Sequence, residues 1–205
     1  LTTRRQRQMC IRDRVKRILI FSIILMMPAY VYSDNYIHTA EGWLNNINSM
    51  TADFIQVSSD GGYAEGKLFI KKNHGFRFEY APPSPLLIVG RGNWVIVQDL
   101  EEQTSNNYPL YQTPFSRFLS DNVSLQPKGY KTDAIVKNGI LEIKIVPNED
   151  NNGLLQLDFS QNPFQLRRWK IIDQIGTEII VTLQNHKFNV QLPAKTFRGN
   201  PIKTE

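Results

Sequence analysis

Three histidines and one pair of adjacent glutamates are the residues whose types first suggest chemistry. His38, His74 and His186 are far apart in the sequence, so we interpret them as single solvated side chains rather than as metal ligands. Glu101 and Glu102 are neighbours, and neighbouring residues on a strand point to opposite faces. We therefore interpret this pair as part of a solvated hairpin and not as a cooperating acid and base.

Motifs of catalysis and of cofactor binding are missing from the sequence. The chain has neither a Gly-x-Ser-x-Gly elbow nor a His-Glu-x-x-His zinc motif. Gly90 and Gly92 lack the third glycine and the following helix of a dinucleotide site. The single cysteine, Cys10, precedes an apolar segment and so cannot be a lipid-anchoring cysteine. We predict a protein that is not an enzyme and that uses no metal or cofactor.

The positive charge of the chain is concentrated at its N-terminus. The formal net charge is +5, but residues 1–33 contain seven cations and one anion, so this segment carries +6 and the rest carries −1. A protein that binds a phosphate backbone needs clustered cations on its folded part. The charge distribution therefore argues against a nucleic-acid partner.

The N-terminal segment has the pattern of a secretory signal. Arg14, Lys16 and Arg17 precede an apolar run at residues 18–27, which is too short for a stable membrane anchor. Val31 and Ser33 then provide the small residues of a cleavage site. We predict that residues 1–33, an N-terminal extension followed by a signal peptide, are removed, and that residues 34–205 form a single domain in the periplasm.

The hydrophobic period changes once, near residue 51. Apolar side chains recur at three- and four-residue steps over residues 36–50, which predicts one amphipathic helix. After Thr51 apolar and polar residues alternate, as they do on strands with one buried face. A second, short helix is predicted over residues 114–120, where Phe115, Phe118 and Leu119 share a face.

Turn signals divide the rest of the chain into segments of strand length. Asn138-Gly139 and similar glycine-rich pairs read as tight turns. The segments between them are 86–89, 94–99, 134–137, 140–146, 154–159, 165–173 and 177–184. Many short strands joined by tight turns predict a curled antiparallel sheet, a mainly β (α+β) fold. Helical side chains then either fill the apolar face of the sheet as a core or cover it as a binding cavity, and periodicity does not choose between these.

Several motifs in order give the chain a family resemblance. Between residues 64 and 99 the sequence has Gly66-x-Leu68, a basic pair, then Phe76-Arg77-Phe78-x-Tyr80, prolines, and an Ile-Val-x-x-Gly turn into an aromatic strand. Upstream, Phe54 and Gln56 fit a first strand; downstream, residues 108–115 and 164–183 also fit. This order and spacing resembles the outer-membrane lipoprotein carrier family (the LolA-like family) over nearly the whole of residues 34–205.

The resemblance implies a fold and a function. The family fold is an incomplete barrel whose helices form a lid over an apolar cavity. Family members accept acylated lipoproteins released by an inner-membrane lipoprotein-releasing transporter and deliver them to an outer-membrane lipoprotein receptor. We accordingly expect a periplasmic carrier without enzymatic activity, and a monomer, because a lid must open.

The resemblance also implies roles for individual residues. Phe76 matches an aromatic residue that the family uses in lipoprotein reception, and Lys72 stands where the family has an arginine that ties the lid closed. Lysine is a point donor and does not reproduce the guanidinium fork. We predict that the acyl-binding lining consists of apolar side chains from the helix and the sheet: Trp43, Leu44, Ile47, Phe54, Leu68, Ile70, Phe76, Phe78 and Trp94.

Three other functions remain open at the level of the sequence. The cargo of the same half-barrel is alternatively a glycolipid, a sterol-like molecule or a polyketide. The domain is alternatively a binding module that senses envelope stress, although such relatives usually carry an extra domain. A hydrolase fits least, since no nucleophile has a plausible base near it in the sequence.

Overall fold

The computed structural model describes residues 33–113, 120, 122–148, 153–172 and 175–202. Apart from Ser33, the predicted N-terminal extension and signal peptide lie outside the described residues, as does the predicted second helix apart from Ser120. Within these ranges one α-helix, α1, covers Ser33–Asn46. It ends four residues before the predicted end because Met50 belongs to the first strand, where it pairs with Ile70.

Eleven strands of the described residues form one antiparallel sheet. They are β1 Ser49–Ser58, β2 Tyr63–Lys71, β3 Gly75–Tyr80, β4 Leu86–Arg91, β5 Trp94–Asp99, β6 Thr104–Pro109, β7 Tyr130–Lys137, β8 Ile140–Pro147, β9 Leu154–Gln161, β10 Phe164–Ile172 and β11 Glu178–Phe188. Two 3-10 helices follow β6 and β11, at Leu110–Gln112 and Ala194–Phe197. No helix among the described residues is long and apolar enough to cross a membrane.

The order of the strands leaves the sheet open. It runs β6-β5-β4-β3-β2-β1-β11-β10-β9-β8-β7, so β6 and β7 are edges and do not pair with each other. The predicted mainly β fold, a curled sheet that is not closed into a barrel, is therefore confirmed. The predicted turn at Asn138-Gly139 has φ angles of 50° and 76°, which are the positive values of a type I′ hairpin.

Side chains from distant strands show how strongly the sheet curls. β3 and β10 are separated by four strand spacings, which is about 19 Å on a flat sheet. The rings of Phe78 and Trp169, one on each of these strands, have centroids only 6.2 Å apart. Register shifts at Thr51/Asp53 in β1 and at Leu166/Arg168 in β10 bend the strands locally. The sheet therefore wraps around its own core.

The two faces of the sheet are covered by different elements. The inner face packs against α1 and holds the main hydrophobic core, which includes Phe54, Leu68, Phe78 and Leu157. The outer face of β3 and β4 is crossed by residues 189–202, which we call the C-terminal strap. Phe197 of the strap is buried, as are Leu87 and Val89 of β4, and these residues form a second, smaller core.

Candidate ligand cavity beneath the helix

Helix α1 presents one apolar face to the inner face of the sheet. Ile37, Ala40 and Leu44 are buried at steps of three and four residues, as the helical period requires. Trp43 is partly buried and contacts Phe159 and Phe188 edge-to-face, with ring centroids 5.6 Å apart in both pairs. The helix thereby spans side chains of β9 and β11.

A small apolar cavity lies between the C-terminal end of α1 and the sheet. Its volume is about 50 Å³, well below the roughly 300–1,000 Å³ of a typical ligand pocket. The lining is apolar except for one amide and one ammonium group: Trp43, Leu44, Ile47, Asn48, Met50, Ile70, Lys72, Leu166 and Trp169. In this state the side chains of the protein itself occupy most of the space beneath the helix.

The structure brings part of the predicted lining together at this cavity. Trp43, Leu44, Ile47 and Ile70 line it, as does Lys72. The other predicted inner-face residues, Phe54, Leu68, Phe76 and Phe78, are fully or almost fully buried in the adjoining core. A ligand reaches them only if α1 and its contacts move.

Trp94 does not belong with the other predicted lining residues. Its neighbour Val95 is buried in the core on the inner face, so Trp94, one residue earlier on β5, points to the outer face. Its side chain is 53% exposed. The expectation that Trp94 joins the inner lining is corrected by this alternation, since β5 is apolar on both faces and its sequence does not reveal which face is inner.

Lys72 holds the end of α1. Its Nζ donates to the main-chain oxygen of Asn45 at 3.2 Å and to Asn45 Oδ1 at 3.3 Å. Asn45 lies in the last turn of α1, where main-chain oxygens have no partner within the helix and a cation is favourable. Lys72 follows directly after β2, so it bridges sheet and helix at the point where the family resemblance implies a lid contact.

Two side chains of α1, one helical turn apart, bind the loop before β7. Asn45 accepts from the main-chain N–H of Val123 at 2.8 Å and donates to its oxygen at 3.1 Å. Glu41 accepts from the main-chain N–H of Leu125 at 2.8 Å and from Ser124 Oγ at 3.2 Å. Sequence reasoning missed both residues, because these bonds join parts of the chain that are 78 and 84 residues apart.

Phe76 occupies a space that a glycine provides. It pairs with Gly90 on β4, and a Cβ placed on Gly90 would lie 2.1 Å from Phe76 Cε1. The ring of Phe76 also contacts Phe78 edge-to-face at 5.8 Å. Glycine at position 90 therefore has a packing reason, since a larger residue would overlap the ring of Phe76.

Aromatic rings continue from Phe76 along the inner face. Phe54 contacts Phe78 at 5.2 Å and Tyr80 at 5.1 Å, both edge-to-face. The hydroxyl of Tyr80 donates to Gln56 Oε1 at 2.9 Å, and burial raises the pKa of Tyr80 to about 12. This layer is apolar and its one buried hydroxyl is paired, which suits the binding of hydrocarbon and not a reaction.

The residues first considered for chemistry lie in separate places. His38 is on α1, His74 is in the β2–β3 turn, and His186 is on β11. Glu101 and Glu102 are exposed in the β5–β6 turn, where their N–H groups donate to Asp99. The predicted solvated hairpin is confirmed. Within the described ranges no three histidine, cysteine or carboxylate side chains are grouped so as to hold a metal ion.

Comparison with known proteins gives a consistent family match. Residues 45–200 match the family model described as outer membrane lipoprotein carrier protein LolA. An uncharacterised protein of Rickettsia prowazekii (strain Madrid E) is 30% identical over 163 residues, which is 78% of this chain and 76% of that protein. An outer-membrane lipoprotein carrier protein of Legionella pneumophila (strain Lens) is 28% identical over 201 residues, covering 90% of this chain and 95% of the relative.

Solved structures share the fold at low sequence identity. An uncharacterised conserved protein from Thermus thermophilus has a TM-score of 0.52 at 12% identity, covering 82% of this chain and 94% of that one. A chain of the MucA/MucB complex of Pseudomonas aeruginosa has a TM-score of 0.51 at 8% identity, covering 83% of this chain and 63% of that one. These likenesses support the fold alone.

Proposed function

The chain belongs to the outer-membrane lipoprotein carrier family, whose members are non-enzymatic binding proteins, and from this premise we propose that it carries lipoproteins across the periplasm. It would bind the acyl chains of lipoproteins released from the inner membrane and deliver them to the outer membrane. Its partners would be acylated lipoproteins, the inner-membrane transporter that releases them and the outer-membrane receptor. Removal of residues 1–33 during export would cut the chain at the start of α1.

The small apolar cavity beneath α1 is the observation that carries this proposal. An acyl chain of about sixteen carbons left in water costs roughly 12 kcal/mol, at ~0.8 kcal/mol for each methylene. A cavity of about 50 Å³ is too small for such a chain. The cargo would therefore replace the apolar face of α1 on the sheet, and this exchange keeps net affinity moderate enough for release.

The contacts of α1 define what moves in that exchange. Lys72 is the sheet-side donor to the end of the helix. Glu41 and Asn45 fix the loop at residues 123–125 to the helix, so helix and loop would move as one lid. Movement of this lid away from the sheet would expose Trp43 and Ile47 together with the aromatic rings of the inner face. These side chains, which pack against one another when the lid is closed, would then form a larger apolar surface for the cargo.

Native mass spectrometry of the protein mixed with a detergent-solubilised triacylated lipoprotein tests the proposal. We expect a one-to-one complex that Ile47→Glu and Ile70→Glu weaken, because each places a charge in the lining. Val57→Glu is the matched control, since Val57 lies on the outer face of β1 and its side chain is 46% exposed. Equal complex formation by all three variants would overturn the proposal.

Two other outcomes would redirect it. Co-purified free lipid without a lipoprotein complex would favour a carrier of another hydrophobic ligand, such as a glycolipid. Binding of neither lipid nor lipoprotein would favour a module that senses envelope stress through a protein contact. Phe76→Leu tests the role of the Phe76 ring in lipoprotein binding apart from its role in protein stability. The substitution removes the ring but keeps an apolar side chain over Gly90.

A further inference from the structure

A second and larger concavity lies on the outer face of the sheet. It forms where the β2–β3 turn, the β4–β5 turn, β6 and the C-terminal strap come together, and its volume is about 700 Å³. That volume lies within the range of small-molecule sites. It shares no lining residue with the cavity beneath α1. We call it the outer groove; it is independent of the proposed acyl-binding surface.

An exposed tryptophan gives the outer groove a flat apolar platform. Trp94 lines it with a side chain that is 53% exposed, beside Ile96 of the same strand and the buried Phe197 of the strap. A large aromatic ring left in water at a concave site marks a contact surface. The indole is carried by β5, which pairs with both β4 and β6, so the platform is rigid.

Polar side chains with open hydrogen-bonding capacity surround the platform. Arg91 and Asn93 come from the β4–β5 turn and Asn107 comes from β6. No side-chain hydrogen bond or ion pair links any of these three to another described residue, and all three are exposed. Each amide offers two donors and an acceptor, and the guanidinium offers five donors.

The charges around the outer groove have one sign. No carboxylate is among the described residues that line it, whereas Arg91 is. Lys195 and Arg198, both exposed on the strap, flank the lining residues Ala194 and Phe197. A ligand with negative charge is therefore favoured.

These features together define a ligand class. The apolar face of a pyranose ring stacks on an indole, sugar hydroxyls both donate and accept as the amides do, and a carboxylate or phosphate group pairs with arginine. An extended peptide would pair its main chain with the free edge of β6, whereas Trp94, Ile96 and Asn107 line the groove from the outer face of the sheet. We propose that the outer groove binds an anionic saccharide, with Trp94 stacking on a sugar ring and Arg91 holding the acidic group.

Titration of the full chain with 6′-sialyllactose and with lactose tests this proposal, using amide NMR shifts and tryptophan fluorescence. We expect sialyllactose to bind about tenfold more tightly than lactose, because one charge-assisted contact is worth roughly a factor of ten. Trp94→Ala should abolish the binding of both sugars, and Arg91→Gln should remove the preference for sialyllactose. Tyr63→Ala is the control, since Tyr63 is another exposed outer-face aromatic residue, away from the groove.

A second variant guards against an indirect effect of losing the indole. Asn107→Asp places a negative charge on an exposed position of β6 and should weaken sialyllactose but not lactose. Equal affinity for the two sugars, binding that survives Trp94→Ala, or an absence of shifts at residues 91–94 would each overturn the proposal. So would tighter binding of a polyglutamate peptide than of sialyllactose, which would instead indicate a protein-docking surface.

Discussion

The two covers of the sheet, α1 on the inner face and the C-terminal strap on the outer face, are held by adjacent lysines. Lys71 Nζ donates to the main-chain oxygen of Leu192 at 2.9 Å in the strap, and Lys72 Nζ donates to Asn45 at the end of α1. The covers differ in what lies beneath them. The cavity of about 50 Å³ lies between α1 and the sheet, whereas the larger outer groove lies at one side of the strap, whose Phe197 is fully buried.

The strap is also locked by polar contacts that fit closely. The amide of Gln98 donates to the oxygen of Asn200 at 3.0 Å and accepts from its N–H at 2.7 Å. Arg77 donates to the oxygen of Arg198 at 2.7 Å. A Cβ on Gly199 would lie 3.0 Å from Gln98 Oε1, so the backbone approaches as near as a glycine allows. These contacts fix the strap to β3 and β5, and we propose that α1 is the cover that moves.

Truncating the strap core is the largest expected effect. Phe197→Ala should lower the free energy of unfolding by about 3–5 kcal/mol, because it empties a fully buried ring site. Lipoprotein binding by the folded fraction should be unchanged. Urea unfolding followed by circular dichroism measures the loss, and Phe197→Leu should show a smaller one. A wild-type unfolding midpoint for Phe197→Ala would break the comparison.

The inner face is tight at Phe76 even though it is loose beneath the end of α1. Gly90→Ala should cost about 1–3 kcal/mol, because the added methyl meets the ring of Phe76. Gly42→Ala is the matched control: it lies in α1 with no atom within 4 Å of its added Cβ, and it should stabilise by about 0.5–1 kcal/mol. Thermal unfolding compares the two; a stabilising Gly90→Ala would refute the packing role of the glycine.

The two lysines allow the covers to be loosened one at a time. Lys72→Met keeps the apolar stem and removes bonds worth about 1 kcal/mol, so the open form should gain roughly fivefold and apparent cargo affinity should rise by the same factor. Lys71→Met should lower stability by a similar amount without changing cargo affinity. Titration of each variant with cargo measures the change in affinity, and urea unfolding measures the change in stability. If Lys71→Met bound cargo more tightly and Lys72→Met did not, the strap and not α1 would be the cover that moves.

The smallest expected effect is a pH dependence of stability that comes from His186, which stacks on a ring that contacts α1. His186 Nε2 is buried and has no hydrogen-bond partner among the described residues, and its ring stacks on Phe188 at 5.7 Å. Partial burial lowers the pKa of His186 below 6.5. The unfolded chain then binds the proton more readily, so the contribution of His186 to stability is present above about pH 6.5 and is lost as the pH falls below it.

His186→Gln should reduce this acid sensitivity. Urea unfolding near pH 7.5 and near pH 5.5, about one unit either side of the ordinary histidine value, measures the difference. His74→Gln, in the exposed β2–β3 turn, is the control substitution. If the stability of wild type and of His186→Gln changed equally between the two pH values, His186 would not be the cause of the acid sensitivity.

Periodicity predicted α1 and the inner face of the sheet better than it predicted the strap. The helical repeat of Ile37, Ala40 and Leu44 is visible in the sequence because burial on one side selects it. Ile47 and Met50 happen to continue the same three- and four-residue spacing beyond the helix. The helix was therefore predicted to end at residue 50, although it ends at Asn46. Strand segments from 86 onwards were predicted to within a few residues because turn residues bound them.

Three features had no readable signal in the sequence. β6 has the sequence Thr-Ser-Asn-Asn-Tyr-Pro, an exposed edge without apolar alternation, and it was not predicted as a strand. The strap has no hydrophobic period, since it is held by hydrogen bonds between its main chain and side chains of the sheet, and by one buried ring. The face of Trp94 was undetermined because its strand is apolar on both sides. Each depends on contacts between distant parts of the chain.

The place of β1 in the sheet has a consequence for folding kinetics. β1 pairs with β2, which follows it directly, and with β11, which lies more than a hundred residues later in the chain. Long-range pairings form late because closing the intervening loop is entropically costly. We therefore expect the pairing of β1 with β11 in the middle of the sheet to form only after the last strand is available. The delay suits the export that we propose for this chain, since closure of the sheet before export would block its passage.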